Sequence, residues 1–330
     1  MKDTLSLPYK NKPVLITGAA GFVGANLTRR LIELGARVYV IVKRSTNMWR
    51  LREVEEKFSM HDVSLTDEKK LTELVRKIKP MYVFHLAARG AYSYQTDCAE
   101  MIEVNVRGTA TLLSALREVP YRGFVNTGTH SEYGFKRHPL QEIDVLEPVS
   151  FYAATKAAAT HLTQVFAIQE KAPAVTLRLF SVYGPWEEPT RLIPTIITRA
   201  LKGEPLLLTQ GRERRDHVYV GDTVEAYLFS ALSAAKHKGA VFNVCSGRQY
   251  AIREVVATLE KIVGKLDKRW GTYPARSWDT DYWVGDPTYM ARTIGWRVTT
   301  ALEEGLKETV EWLRVHEKEY DRKVKRQKEK

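Results

Sequence analysis

The chain is short of cysteine, of long apolar runs and of metal-ligand spacings, and each shortage closes off a class of protein. Two cysteines, Cys98 and Cys245, stand far apart among 330 residues and outside any CxxC pattern. Neither a disulfide framework nor a thiolate metal site is expected, and a reducing cytoplasm is the expected compartment. A membrane span needs about 18 or more consecutive apolar residues, and no such run occurs. The opening MKDTLSLPYKNKP has no apolar stretch that could act as a signal peptide, so no membrane association is expected. The histidines show no HExxH or other ligand spacing, and no metal is expected. There is no internal repeat.

Acidic residues are also in deficit, which leaves a formal net charge of +12. Much of the excess lies in the terminal RVHEKEYDRKVKRQKEK. There acids and bases are interspersed without the aromatic interleaving of a nucleic-acid surface. That stretch reads as the end of a solvated helix, and no nucleic-acid partner is expected. The remaining positive balance suits an anionic small substrate.

What is present is regular alternation. PVLIT (13–17), RVYVIV (37–42), MYVFHL (81–86), GFVNT (123–127) and AVTLRLF (174–180) are apolar on both faces. Strands of a parallel sheet covered by helices have this character. Helical patterns at 22–34, 67–78, 101–118 and 151–170 lie between them. The alternation predicts an α/β fold, a Rossmann-type doubly wound parallel sheet. After Gly184 the regularity gives way to prolines, although AVFNVCS (240–246) reads as a strand returning to the sheet. A smaller C-terminal lobe is expected to bind substrate. The dinucleotide-binding part is assigned to 1–183 and 216–247, and the substrate lobe to 184–215 and 248–330.

The first strand runs into TGAAGFVGANLTRRLIELG, with Gly18, Gly21 and Gly24 at GxxGxxG spacing. Glycine permits the tight turn and lets backbone amides approach a pyrophosphate, while the helix N-terminus adds its dipole. Phe22 and Val23 open that helix inside the same loop. At the end of the second strand an NAD-binding protein usually carries an acid for the ribose hydroxyls. Here Val42 stands in that place, followed by Lys43 and Arg44, which can pair with the 2′-phosphate of NADP or be two solvated charges. The cofactor is therefore expected to be NADP or NAD, with a lean to NADP. Asp62 and Val63 are expected beside the adenine. Leu86, Ala87 and Ala88, small at the end of the third long strand, are expected where a dinucleotide lies against backbone.

The stretch SFYAATKAAATHL places Tyr152 and Lys156 four apart, hence on one helix face. Taken in order, GxxGxxG, HLAA, NVRGTATLL with Asn105, NTGTHSEYG, and then Tyr152 with Lys156 resemble the extended short-chain dehydrogenase/reductase family. This is the group of NAD(P)-dependent nucleotide-sugar epimerases and dehydratases. The likeness covers nearly the whole chain and continues through RLFSVYGP, RRDHVYVGD and ARSWDTDYW. It implies that Tyr152, Lys156 and Thr129 are catalytic, and that Asn105 belongs to the cofactor site together with the tyrosine and lysine. A free phenol titrates near 10. A neighbouring ammonium and an oxidised nicotinamide are expected to lower that value, so that Tyr152 takes a proton from a sugar hydroxyl.

For a nucleotide-diphosphate sugar, the resemblance implies Arg215 and Arg276 on the phosphates. Arg191, Ser181, Thr129 and His130 are expected nearby. Ser181 departs from the asparagine common in relatives. Arg89, just past HLAA, is expected to face the sugar or to form a structural salt bridge.

The reaction expected is epimerisation through hydride transfer at the sugar ring, at C4. An NADPH-dependent 4-keto-sugar reductase is the alternative, followed by a 4,6-dehydratase. The dehydratase ranks third because relatives of that kind carry an acid and a base directly after the catalytic threonine. Here His130 and Ser131 follow, and Glu132 comes one place late. If the strand persisted, alternation would aim Glu132 elsewhere. A cofactor-binding sensor without turnover is the non-enzymatic alternative, and retention of Tyr152, Lys156 and Thr129 argues against it. The resemblance also implies a homodimer formed through helices 101–118 and 151–170.

Overall fold

Successive side chains of a strand point to opposite faces, and in β1 (Pro13–Thr17) both faces are buried. Val14 and Ile16 enter one core and Leu15 another. The same division recurs in β4 (Tyr82–His85), where Phe84 joins the first core and Val83 the second. Burial on both faces is why these runs lack polar alternation. The computed structural model describes residues 6–92, 94–274 and 280–328.

Between those strands lie β2 (Arg37–Val42) and β3 (Ser59–Asp62), and after them β5 (Gly123–Thr129) and β6 (Ala174–Leu179). The chain then leaves the sheet through β7 (Ser181–Tyr183), β8 (Leu206–Leu208) and β9 (Arg214–Tyr219), and returns as β10 (Val241–Val244). The parallel order is β3-β2-β1-β4-β5-β6-β10. Helix α1 (Phe22–Glu33) covers one face with the helix Val220–Ser233. The other face carries α2 (Glu68–Ile78), α3 (Gly108–Leu116) and α4 (Phe151–Gln169). The strand order reverses between β1 and β4, and the carboxyl ends of these strands open the crevice where such sheets bind ligands.

Strand β3 escaped the periodicity because it is a mainly exposed edge segment, SMHD. Its pairing comes from β2, with Val42 opposite Asp62. Small sheets formed by β7, β9 and β11 (Gln249–Ala251), and by β8 and β12 (Lys268–Trp270), were likewise unannounced by apolar runs. Beneath them lies a third core built from Ile193, Ile197, Val255, Leu259, Leu306 and Val310.

The helix expected over 101–118 is interrupted. An α-turn Cys98–Met101 passes into a π-helical segment, Ile102–Arg107, before α3 begins. The wider turn accompanies an inward Asn105, fully buried, whose Oδ1 accepts from the Arg89 amide at 2.8 Å. Its Nδ2 donates to the Arg89 carbonyl at 2.8 Å and to Thr155 Oγ1 at 2.9 Å. Three hydrogen bonds from one buried side chain offset the irregular turn, and π segments recur beside functional sites.

Candidate active site

The glycines of the first loop are there because nothing larger fits. Gly18 has φ +72°, and a Cβ on it would lie 2.5 Å from the Ala87 nitrogen. On Gly24 a Cβ would lie 2.2 Å from the Gly18 carbonyl oxygen. The loop is pressed between the end of β4 and the first turn of α1, where Gly21 is the N-cap. Amides of that turn have no acceptor within the helix, so they are available to a pyrophosphate. This close backbone cradle fits a dinucleotide.

The cradle forms one end of a cleft of about 640 Å³. Gly18, Gly21, Phe22, Val23, Gly24, Leu86 and Ala88 line it, as do Tyr152, Lys156, His130, Ser181, Arg191 and Arg215. Residues expected at the cofactor and at the substrate thus share one space. Ala87 sits against Gly18, with its amide donating to Thr17 Oγ1 at 3.3 Å. Behind it, His85 is fully buried and bridges Thr17 and Thr109. Thr109 donates its hydroxyl hydrogen to the Asn105 carbonyl, so His85 Nε2 carries the proton toward Thr109. Burial and the nearby Lys156 charge push His85 down to about 3, and it is a neutral strut.

Ser150 caps α4 by accepting from the Ala153 amide at 3.1 Å, which starts the helix just before Tyr152. Tyr152 is half-buried and Lys156 is only 1% exposed. Burial pushes the Tyr152 phenol up to about 12, and the Glu132 charge adds to the rise. The Arg191 charge and a hydrogen bond with Thr129 act the other way. Burial brings the Lys156 ammonium down to about 8, while Glu132 holds it up. The lowering expected from Lys156 together with an oxidised nicotinamide is not reached by the protein's own groups. In the cleft alone desolvation wins, because the phenolate loses more water than the available cations replace.

Thr129 ends β5 directly behind the phenol and is 7% exposed. Thr127, two places earlier on the same strand face, lines the cleft and shares a 2.6 Å hydrogen bond with the Tyr227 hydroxyl. Contrary to the strand alternation expected to aim Glu132 away, the strand ends at Thr129. Residues His130–Tyr133 form a 3₁₀ turn capped by Thr129, and Glu132 turns inward to Arg178 at 2.8 Å. His130 Nδ1 lies 2.8 Å from the Leu179 carbonyl, which can only accept. The proton is therefore on Nδ1 and the lone pair on Nε2. Burial brings His130 down to about 4, with Arg215 adding to the fall and the Leu179 bond opposing it. It is neutral near pH 7, held between Phe180 and Trp283.

Other expected residues fall outside the cleft wall. Arg89 pairs with Glu100 at 2.8 Å, which is the structural alternative rather than a sugar contact. Asn105 spends its amide on Arg89 and Thr155, so it braces the wall from behind instead of touching a cofactor. Lys43, Arg44, Asp62 and Val63 stand beyond the cleft, at the ends of β2 and β3. The Arg44 amide donates to Asp62 Oδ1 at 3.0 Å, which joins the two strand ends. Neither the Lys43 nor the Arg44 side chain has an ion-pair partner among the described residues. Arg276 lies outside the described residues.

The cleft also holds residues without a sequence signal. Arg199 joins Arg191 and Arg215 on its wall, and Tyr92, Glu187 and His217 complete it. The Arg191 Nη2 donates to the Ala91 carbonyl at 2.7 Å, and the Arg215 guanidinium lies 4.9 Å from the Trp283 ring centre. Glu187 is 8% exposed, and burial pushes its carboxyl up to about 8 despite Arg191. Among the described residues no cluster of three or more histidines, cysteines or acids could hold a metal ion. No helix there is long and apolar enough to cross a membrane.

Comparison with known proteins places this geometry. Residues 14–245 match the NAD dependent epimerase/dehydratase family. The dTDP-glucose 4,6-dehydratase of Salmonella typhimurium is 29% identical over 91% of this chain and 92% of its own. The UDP-glucuronic acid 4-epimerase of Bacillus cereus, solved with UDP-glucuronic acid and NAD, is 25% identical. It superposes with a TM-score of 0.80 over 92% of this chain and 99% of that one. An epimerase from Methanothermobacter thermautotrophicus, 26% identical, gives a TM-score of 0.88 over 98% of each chain.

Proposed function

The chain belongs to the NAD-dependent epimerase/dehydratase family, and we propose that within it the protein is a nucleotide-sugar epimerase acting at C4 of the sugar. The carrying observation is that Tyr152 and Lys156 line one cleft with Thr129 hydrogen-bonded behind the phenol, while His130 and Ser131 stand where a dehydratase would carry its acid and base directly after the threonine. In this reading a nicotinamide dinucleotide supplies the hydride acceptor and, when oxidised, a positive charge that favours the phenolate.

Tyr152 takes the hydroxyl proton as hydride leaves the same carbon, turning the alcohol into a ketone. Thr129 donates to that oxygen and fixes its distance from the phenol. Lys156 holds the nicotinamide ribose and keeps a cation beside the phenolate. Once the keto-sugar has rotated, return of the hydride to the other face of that carbon, with Tyr152 giving the proton back to the oxygen, would give the epimer. Arg191, Arg199 and Arg215 are assigned to the substrate diphosphate, with Arg276 as a further contact. The same reading keeps 1–183 and 216–247 as the dinucleotide-binding part and 184–215 and 248–330 as the substrate lobe.

Dehydration across C5 and C6 would need a proton donor and a base at the sugar. His130 presents a lone pair, and Glu132 is committed to Arg178. The support for epimerase over dehydratase is that neither His130 nor Ser131, the two residues directly after Thr129, is a carboxylate, even though dehydratases stand among the relatives. A second reading, the NADPH-dependent 4-keto-sugar reductase, draws on Lys43 and Arg44, exposed at the end of β2 where a 2′-phosphate would lie. A homodimer is proposed through α4 and its neighbour, whose outer face exposes Phe151, Val165, Ile168 and Ile102. Mass spectrometry of small molecules released on denaturing the purified protein separates the readings. Retained NAD and interconversion of a C4 epimer pair support the epimerase. Exchangeable NADPH and consumption of a 4-keto sugar would replace it by the reductase.

A further inference from the structure

The buried ion pair behind the catalytic face has no part in the steps above. Glu132 is 0% exposed and Arg178 is 2% exposed. The glutamate spends both oxygens on three elements. Oε1 accepts from the Thr129 amide at 2.8 Å, and Oε2 accepts from Arg178 Nε at 2.8 Å on β6. The Thr160 hydroxyl of α4 approaches both oxygens, at 3.2 and 3.0 Å. Thr160 lies one turn beyond Lys156 and two beyond Tyr152, so the carboxylate ties the end of β5 to the helix that carries the pair. Room for it is reserved: a Cβ on Gly128 would lie 2.6 Å from Glu132 Oε1.

We propose that Glu132 is a positioning residue, holding Thr129 in register with α4 and placing a fixed negative charge behind Tyr152 and Lys156. An apolar residue could close the same space, and burying an ion pair is rarely the more stable choice. What the charge adds is electrostatic, since its field reaches both catalytic groups. The groups facing Tyr152 are Glu132 and Thr129 from the β5 end, Arg191, Tyr92, and Tyr227 from the helix Val220–Ser233. Those facing Glu132 are Arg178, Thr160 and Lys156. Burial already keeps Tyr152 a neutral phenol, and the charge adds to that while holding the Lys156 ammonium up against its own desolvation.

This rests on the reading of Tyr152 as the base, but its test needs no sugar. The protein carrying side-chain-labelled lysine is followed by carbon NMR from about pH 6 to about pH 11, a range that spans both the lowered Lys156 value and the ordinary lysine value. The Lys156 signal is assigned by its loss in Lys156→Met. In Glu132→Gln the Lys156 midpoint should fall by about one pH unit or more, as expected for an opposite charge removed from a poorly screened site. In Glu132→Asp it should stay near wild type even if melting temperature drops. If Glu132→Gln does not fold, the Glu132→Gln/Arg178→Gln double variant leaves no unpaired charge and should show a smaller fall in the same direction. A Lys156 midpoint unmoved in the folded variant overturns the proposal. Failure of every nucleotide sugar to turn over would instead overturn the epimerase reading and leave the titration result standing.

Discussion

Gly18 and Ala87 meet backbone to backbone, with a Cβ on Gly18 placed 2.5 Å from the Ala87 nitrogen and 2.5 Å from the Leu86 carbonyl carbon. The contact joins the β1 turn to the end of β4, so the cofactor cradle and the cleft wall form one rigid piece. The positive φ of Gly18 adds strain to any substitution. Gly18→Ala should therefore weaken dinucleotide binding by about tenfold or more, equivalent to about 1.4 kcal/mol, and lower the melting temperature. Cofactor fluorescence titration checks this, and unchanged affinity would mean that the cradle is elsewhere.

Tyr152→Phe keeps the ring in place and removes the hydroxyl to which the proposal assigns the proton transfer. Turnover should fall by about a hundredfold to ten-thousandfold, while dinucleotide affinity stays near wild type. Steady-state kinetics on the substrate found by mass spectrometry, beside a binding titration, read both quantities. Full activity would remove Tyr152 from the mechanism.

Lys43 and Arg44 give the cofactor preference a direct test. With both changed to alanine, NADP affinity should drop by about tenfold or more, since hydrogen bonds to charged groups contribute about 1.5–3 kcal/mol each. NAD affinity should scarcely move. An unaltered NADP to NAD ratio rejects a 2′-phosphate contact and with it the main support for the reductase.

Glu187 predicts a pH dependence with an unusual sign. Its carboxyl is raised from 4.5 to about 8 in the fold, chiefly by burial. Between those values the folded state holds a proton that the unfolded state has lost, so stability declines as pH rises through this window. Removing the charge with Glu187→Gln should flatten the decline. Melting curves at pH values on either side of the window should show the variant gaining on wild type by about 2 °C or more at the alkaline end. Parallel curves would mean that Glu187 is ionised without cost.

His130 should not titrate near neutrality. Burial holds it down at about 4, so its imidazole proton signals should stay constant across the range where an ordinary histidine changes, around 6.5. A midpoint near that value would restore it as a general acid and weaken the case against dehydration.

The local chemistry of this protein is written in short stretches of chain. PVLIT followed by three spaced glycines determines a strand, a tight turn and a helix start, because each demand falls on neighbouring backbone. Tyr152 and Lys156 were legible for the same reason, since helical geometry alone puts residues four apart on one face. Side-chain choices made across the sheet were not legible. Glu132 and Arg178 are 46 positions apart in sequence, and only parallel pairing of β5 with β6 sets Gly128 beside Arg178. The preference of Arg89 for Glu100, the inward turn of Asn105 and the arrival of Arg199 on the cleft wall are likewise tertiary outcomes. Proximity and dielectric decide which charges meet and which phenol stays protonated, and both are properties of the folded interior.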